Sequence, residues 1–416
     1  MHLVERFSAF AEDLRRKPLA PEVAHHARRA VIDWHAALYA GSVMAPTTLL
    51  EKAFADKKTN PRTAALINGT AAHAAEVDDI FRDGIYHPGA PTIAAAHALG
   101  MDQASFLRAV VAGYEISTRI GAAMGRAHYR YWHNTGTIGC FGAAAAAAEM
   151  LGLERGRFAH ALATVATFSA ALQQAFRMDS MSKPLHAGRA AEAGVEAALM
   201  AREGVTGSLD ILEGEAGYGR AMGDDPDWEK AVATLGREFN ITRMTFKNHA
   251  CCGHTFAAID GALALQKKSG VAARDIHQVD VATYRAGLEV AHYEEPRTPA
   301  EARFSMKYVV ATALTHGNVR LAAFSENRIQ DRETRELMSR IHVSLDPELD
   351  AAFPAQRAAR VTINGEQWLQ PTRVGDPDAP LSDAQLEEKY RELAAPVLGT
   401  SEADRLLERL WRLPAQ

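Results

Sequence analysis

The spacing of apolar residues predicts that the first part of the chain is helical. From Phe106 onward, apolar residues recur with the 3.6-residue period of an amphipathic helix, at Phe106, Leu107, Val110, Val111, Tyr114 and Ile120. Gly100 is a stop signal for the alanine-rich segment before it. Alanine-rich stretches at 141–151 and 190–202 predict further helices, whose small side chains allow close packing. Before about residue 245, no strand-like alternation runs for more than a few residues.

The pattern changes after about residue 270. Apolar and polar residues alternate at 279–283, 341–345 and 361–368, which predicts strands. The pair Asn364-Gly365 within the last stretch predicts a hairpin. Ser382 and Gln385 have the spacing of a capping box that opens a helix to about Leu393, and a last helix is expected over 401–413. We therefore expect a helical region, an α+β region and a helical tail that packs on either one.

Composition narrows the class of protein. The chain has 416 residues, 47% of them hydrophobic and 23% charged, which excludes disorder and favours two domains. A net charge of −5 gives no electrostatic footprint for nucleic acid, and no run of like charges suggests a membrane-surface patch. The charged N-terminal segment lacks the apolar core of a signal peptide. We therefore predict a cytoplasmic protein that binds neither nucleic acid nor membrane.

The cysteines and histidines do not predict a metal site. The three cysteines are Cys140, Cys251 and Cys252. An odd count with two adjacent residues does not make a disulfide framework, and no C-x-x-C pair is present. The spacing within segment 249–254 does not suit one tetrahedral zinc ion. His73, Glu76 and Asp78 offer nitrogen and oxygen ligands, but an isolated H-x-x-E pattern is weak. We predict no metal and no cofactor.

Polar and cationic residues concentrate in five short stretches that are flanked mostly by Gly or Ala, at 73–89, 132–136, 182–191, 246–254 and 304–308. Each stretch also has a structural interpretation. The acidic residues at 76–79 suit a solvated loop with helix-capping duties, and Lys183-Pro184 suits a helix start. His133 suits a hydrogen-bonded core histidine, and Tyr308 suits a core tyrosine with a satisfied hydroxyl. Together, however, the stretches favour a site in which Lys and His hold several carboxylates while acid–base groups move a proton beside one of them.

These stretches resemble the MmgE/PrpD family. The matching segments follow the family order across nearly the whole chain: 65–69, 73–79, 87–88, 111–115, 183–191, 203–207, 211–214, 247–254, 305–308 and 375–381. The resemblance implies a mainly α fold, with a large all-helical domain at 1–245 that is completed by the C-terminal helices at 383–416. The resemblance also implies a smaller α+β lid domain at 246–382. It further implies a site between the domains, a homodimer, and chemistry that needs neither metal nor nucleotide.

The resemblance also implies site residues. The expected catalytic residues are Glu76, Asp78, His87, Lys183 and Tyr308, and the expected substrate-binding residues are Asp79, His133, Lys247 and His254. The sequence departs from the family at Glu76, where relatives carry Asp, and at Ile80, where they carry Thr. The segment 81–86 also differs and is one residue longer. These departures fall in the pocket and therefore bear on substrate identity.

The favoured activity is that of a cofactor-free lyase of the 2-methylcitrate dehydratase type. It would remove a proton alpha to a carboxylate of a small polycarboxylic acid, with loss of water. The same site would also suit an epimerase or racemase of an imino- or amino-dicarboxylate, or a decarboxylase of an aconitate-like acid. A non-catalytic binding protein is the remaining alternative. Product identity separates these hypotheses.

Overall fold

The computed structural model describes residues 1–57, 59–176 and 180–415, which form two compact units. The helical unit consists of 1–245 and 382–416, and the mixed unit consists of 246–381. The predicted fold class, mainly α with a smaller α+β part, is confirmed. Among the described residues, no helix is both long enough and apolar enough to cross a membrane.

The helices are numbered along the chain. In the first part they are α1 Leu3–Leu14, α2 Pro21–Ser42, α3 Thr47–Ala53, α4 Pro61–Ala74, α5 Gly89–Gly100, α6 Phe106–Tyr129, α7 Asn134–Thr137, α8 Gly139–Met150, α9 Arg155–Ala166, α10 Ser182–Arg202, α11 Tyr218–Met222 and α12 Trp228–Ala233. They continue as α13 Phe256–Ser269, α14 Arg285–Val290, α15 Pro299–Ala302, α16 Met306–His316, α17 Glu326–Ile329, α18 Arg332–Met338, α19 Pro347–Ala352, α20 Asp383–Leu398 and α21 Thr400–Trp411.

Small residues allow α10 to pack closely against both α4 and α8. A Cβ atom on Gly188 would lie 2.3 Å from the carbonyl oxygen of Leu66 in α4. A Cβ atom on Gly194 would lie 2.4 Å from the side chain of Ala143 in α8. Only glycine fits at such distances. This packing fixes the first turn of α10, which carries Lys183 and His186, beside the end of α4.

The mixed unit is built on a four-stranded sheet. Its strands are β1 Val279–Thr283, β2 Ile341–Leu345, β3 Ala359–Ile363 and β4 Glu366–Gln370, in the spatial order β2-β1-β3-β4. β1 pairs parallel with β2 and antiparallel with β3, and β3 pairs antiparallel with β4. Helix α13 packs against β3 and β4. In β1 and β3 the residues alternate between buried and half-buried, as the sequence pattern predicts.

Two local sequence signals are confirmed in detail. Asn364 and Gly365 connect β3 to β4 with φ angles of +50° and +91°, the left-handed backbone that this pair tolerates. The Ser382 side chain accepts from the Gln385 amide at 3.2 Å, and the Gln385 side chain accepts from the Ser382 amide at 2.8 Å. The helix that this box opens extends to Leu398, beyond the predicted Leu393, with Pro396 in its last turn.

A buried ion pair connects the C-terminal helices to the rest of the helical unit. Lys389 of α20 donates to Asp33 of α2 at 2.5 Å and to the backbone carbonyl of Val77 at 2.6 Å. The two charged side chains are 2% and 1% exposed. Because Val77 directly precedes Asp78, the ammonium group of Lys389 also fixes the loop that carries the candidate site.

We expect Lys389→Met to destabilise the helical unit by about 3–5 kcal/mol, because the change leaves Asp33 buried without its ammonium partner. The free energy of unfolding in urea measures this loss. The exposed Lys52→Met is the matched control and should change stability by less than about 0.5 kcal/mol. Lys389→Met combined with Asp33→Leu should cost less than Lys389→Met alone, since the buried carboxylate is then removed together with the ammonium group. A double variant that is less stable than both single variants would contradict this account.

Candidate functional site

The loop after α4 carries the first group of predicted site residues. His73 lies in the last turn of α4 and is fully buried, and Glu76 follows two residues after the helix ends. The Glu76 backbone has a φ of +59°, in the left-handed region that a non-glycine residue rarely adopts. Such a conformation costs on the order of 1–3 kcal/mol and tends to occur at functional sites. The Glu76 side chain forms an ion pair with Lys183 at the start of α10.

Asp78 lies between two imidazole rings. Its Oδ2 atom is 2.7 Å from Nδ1 of His73 and 3.2 Å from Nδ1 of His87. Burial alone would raise the pKa of Asp78, but the charges and hydrogen bonds of His87 and His73 hold it well below its usual range. The Asp78 side chain is 2% exposed, whereas that of His87 is 14% exposed. His87 is therefore an imidazole that a buried carboxylate orients from behind.

Asp79 holds the segment that follows His87. Its two oxygens accept from the Gly89 amide at 3.0 Å and from the Tyr114 hydroxyl at 2.7 Å. Burial, and then repulsion from Asp33, raises the pKa of Asp79 to about 8. Asp78 and Asp79 are 1% and 3% exposed, so the alternative interpretation of 76–79 as a solvated capping loop is wrong for these two residues. Asp79 anchors Gly89 and thereby positions His87.

His133 and His186 extend the cluster. Their Nδ1 atoms are 3.0 Å apart, and the His133 ring lies 5.5 Å from the His73 ring, nearly parallel to it. Burial, followed by the nearby charges of His73 and Lys183, lowers the pKa of His133 well below its ordinary value. The same causes lower the pKa of His186 to about 4. Near neutral pH these two rings are therefore uncharged.

Lys183 occupies the second position of α10 and is 21% exposed. The helix-start interpretation expected Pro184 at the first helical position. The helix begins at Ser182, however, so Pro184 stands at its third position. An ammonium group at this place repels protonation of His133 and His186. The helical unit thus brings together Glu76, Asp78, His87, His133 and Lys183, with Asp79 behind them.

The segment 80–86, for which we expect a departure from the family, is irregular but well anchored. The Ile80 and Thr245 backbones exchange two hydrogen bonds of 2.9 Å, and Phe81 and Tyr86 bridge at the base of the turn. Ile85 has a φ of +51°, which is strained for a β-branched residue. The Tyr86 hydroxyl donates to Ser117 at 2.8 Å. The segment therefore forms a turn that ends directly before His87.

The mixed unit contains the other predicted residues. Lys247 is 2% exposed. Nδ1 of His254 is 2.9 Å from the Tyr284 hydroxyl. Tyr308 is fully buried, and its hydroxyl donates to the Ala323 carbonyl at 2.5 Å. This geometry fits the core interpretation of Tyr308 better than its predicted role as a catalytic acid. The roles of Lys247 and His254 stay predictions.

Sequence reasoning missed two parts of the cluster. His186 belongs to the matching segment 183–191, and its position three residues after Lys183, on the same face of a helix, is a signal that could have identified it. Tyr114 lies within the segment 111–115, but nothing local indicates that its hydroxyl meets Asp79. His73 belongs to the polar stretch at 73–89 and to the matching segment 73–79, and its contact with Asp78 makes it part of the cluster.

Comparison with known families identifies both parts of the chain. Residues 5–231 match the family model of the MmgE/PrpD N-terminal domain. Residues 249–413 match that of the MmgE/PrpD C-terminal domain. Together the two matches include every predicted site residue except Lys247.

Curated relatives agree with these matches. The chain is 28% identical over 374 residues to human cis-aconitate decarboxylase, covering 85% of this chain and 76% of that protein. It is 26% identical to the cis-aconitate decarboxylase-like protein oryM of Aspergillus oryzae, covering 84% and 79% of the two chains. It is 25% identical to mouse cis-aconitate decarboxylase, covering 86% and 77%.

We expect Tyr308→Phe to leave catalytic turnover within about twofold of the wild type, because the Tyr308 hydroxyl is already held by the Ala323 carbonyl. The lost hydrogen bond should cost about 1 kcal/mol of stability. Steady-state kinetics and urea unfolding on the same preparations measure both quantities. A turnover loss of about 100-fold or more, the size expected for an acid–base residue, would restore Tyr308 as the catalytic acid.

Proposed function

Because this chain belongs to the MmgE/PrpD family, we propose that it is a cofactor-independent lyase of small polycarboxylic acids. In this proposal His87 removes a proton from the carbon next to a substrate carboxylate, and water leaves from the neighbouring carbon. The observation that carries the proposal is the contact between buried Asp78 and the more exposed His87. The family supports a decarboxylase- or dehydratase-type activity.

The Asp78–His87 pair suits a general base. Asp78 faces Nδ1 of His87, which leaves Nε2 as the ring nitrogen that points away from the carboxylate. A carboxylate in this position fixes the tautomer and stabilises the imidazolium that forms when the ring takes up a proton. Since Asp78 has a strongly lowered pKa, it is ionised near neutral pH. His87 can therefore accept a proton from a substrate and return it later.

The charge of the cluster suits a substrate that brings its own negative charges. Lys183 contributes a cation to the group, and Glu76 partly neutralises it. His133 and His186 are neutral near pH 7 in the free protein. We propose that a substrate carboxylate binds Lys183, His133 and His186, where it would draw protons onto the imidazole rings. The same groups would stabilise the enolate-like charge that develops when His87 takes the alpha proton.

Loss of carbon dioxide is the second candidate reaction. It is favoured by the decarboxylase names of the relatives. Decarboxylation needs stabilisation of the developing negative charge and a proton donor, but it does not need a base. Dehydration uses the base that Asp78 orients, and for that reason we place it first.

The predicted homodimer is part of the same proposal, and sedimentation equilibrium would measure it.

The decisive experiment measures the conversion of a panel of candidate acids in deuterated water. Chelator-treated protein is incubated with citrate-like, aconitate-like, tartrate-like and amino-dicarboxylate acids, and proton NMR and mass spectrometry identify the products. We expect water loss from a hydroxy polycarboxylate with deuterium exchange at the alpha carbon. Carbon dioxide release would select the decarboxylase, and exchange with inversion an epimerase. If folded protein neither converts nor exchanges any acid in the panel, the lyase proposal is wrong.

His87→Asn tests the assigned base. The introduced amide can still donate to Asp78 but has no group equivalent to Nε2, so we expect turnover to fall by about 100-fold or more. The exposed His277→Asn is the matched control and should retain full turnover. Retained turnover in His87→Asn would reject His87 as the base while leaving the lyase activity itself intact.

Binding of a polycarboxylate should become weaker as the pH rises. In the free protein the pKa of His186 is about 4, so the ring is neutral at pH 5 to 7. A bound carboxylate favours the protonated ring, and binding then takes up a proton across this range. The affinity for tricarballylate, which has no leaving hydroxyl, should therefore fall with pH by up to about tenfold per unit for each proton taken up. Calorimetry in buffers of different ionisation enthalpy measures the uptake.

His186→Gln provides the comparison, because it keeps a polar side chain at the same place but cannot titrate. We expect the variant to take up fewer protons and to show a flatter pH dependence than the wild type. The difference between the two proteins removes the contribution of the ligand's own titration. Equal proton uptake in the two proteins would show that His186 does not contact the bound carboxylate.

A further inference from the structure

Within the described ranges, the ligand atoms of His73, Asp78 and His87 form a group whose members all lie within 4.8 Å of one another. Two of these separations are 2.7 Å and 3.2 Å, both from Asp78 Oδ2 to an imidazole Nδ1. The sequence pattern did not predict this set, because His87 lies fourteen positions after His73 and is brought back by the turn at 81–86. Two imidazoles and one carboxylate are a familiar ligand combination for transition metals.

An unsatisfied polar atom marks the same place. Among the described residues, Asp78 Oδ1 has no hydrogen-bond partner, although it is buried. Buried carboxylate oxygens and imidazole nitrogens usually have a partner, and each such exception requires an explanation. A cation between the rings would bind the carboxylate more completely than two hydrogen bonds do.

The dimensions and charge fit a small divalent ion. Zinc binds imidazole and carboxylate at about 2.0–2.2 Å, which places tetrahedral ligand atoms about 3.3 Å apart. To reach this spacing, each imidazole ring would have to move away from Asp78 by less than about 1 Å. With neutral imidazoles, the three ligands together carry a charge of about −1. A divalent ion bound to them therefore gives the site a net positive charge, which attracts an anion. Nitrogen ligands disfavour magnesium and calcium, which prefer oxygen.

The ligands are held from both sides of the loop. Lys389 fixes the carbonyl of Val77, one residue before Asp78, and Asp79 fixes the amide of Gly89, two residues after His87. His73 is fixed by its place in the last turn of α4. Because little ordering remains to be done on binding, the set is pre-organised for an ion.

We propose that His73, Asp78 and His87 form a binding site for a borderline transition-metal ion such as Zn²⁺, and that its occupancy switches the enzyme off. A metal on Nδ1 of His87 replaces the hydrogen-bonding carboxylate and lowers the basicity of the opposite nitrogen. The binding site stands on the geometry alone. The inhibition rests on the proposed function of His87, so the two parts are tested separately.

The first test measures binding without any activity assay. Chelator-treated full-length protein is titrated with Co²⁺, followed by its visible absorption bands, and with Zn²⁺ by calorimetry. We expect one ion per chain, with tetrahedral cobalt bands. Asp78→Asn should weaken binding by more than about tenfold, the loss that even an outer partner of a metal ligand can cause. His87→Asn provides the same test if Asp78→Asn does not fold.

Two control variants address other sources of binding. Asp331→Asn alters a carboxylate that lies 3.3 Å from His316 near the surface and should leave the affinity unchanged. The double variant Cys251→Ser with Cys252→Ser removes the thiols of the 249–254 segment and should also leave it unchanged. The proposed site would be overturned if the wild type bound no ion. It would also be overturned if binding persisted in both Asp78→Asn and His87→Asn but disappeared in the thiol variant.

The second test concerns the switch. Zn²⁺ should inhibit turnover with a midpoint that matches its dissociation constant, and chelator should restore full activity. Zinc that binds to the wild type without changing turnover would overturn the inhibitory role but leave the binding site. If no acid is turned over at all, the proposed function fails, whereas the cobalt and zinc titrations still decide the site.

Discussion

The candidate site depends on one buried ammonium group. Lys389 is the point at which α20, α2 and the loop at 77–79 meet, through contacts of 2.5 Å and 2.6 Å. A charge removed from water is tolerated only while its partners surround it, so each of the three segments is held by the other two. The fixed loop in turn holds Asp78 in place, and the hydrogen bond between Asp79 and the Gly89 amide holds the segment that carries His87. The position of the imidazole is therefore a property of the entire helical unit.

A second constraint is the distribution of charge around that imidazole. Lys183 is paired with Glu76, whose backbone is strained, and His133 and His186 are uncharged near neutral pH because burial and the charges of His73 and Lys183 disfavour their protonation. This distribution of charge is the reason for proposing a polyanionic substrate whose binding is accompanied by proton uptake. Glu76, where we expect the family to carry aspartate, lies at the centre of this balance.

The sequence predicted those features that depend on neighbouring residues. The alternation at 279–283, the Asn364-Gly365 turn and the Ser382 capping box each involve a few adjacent positions, and each is confirmed. The partners of Asp33 and Asp79 could not be predicted in this way, because Lys389 and Tyr114 are remote in sequence. Tyr308 shows the opposite difficulty, since a motif position does not reveal that a nearby carbonyl already holds the hydroxyl. The resemblance identified the candidate residues, while only the structure showed which ones are in contact.

The split of the helical unit into 1–245 and 382–416 has a consequence for biosynthesis. Translation proceeds from the N-terminus, so the ribosome makes the whole of 246–381 before it makes Lys389. During that interval the nascent first segment contains Asp33 without its ammonium partner, whereas the continuous mixed unit can already fold. The contact of Lys389 with the Val77 carbonyl, which fixes the loop of Asp78, can therefore form only after 246–381 has been synthesised. Until then, the growing chain carries the residues of the candidate site without this support.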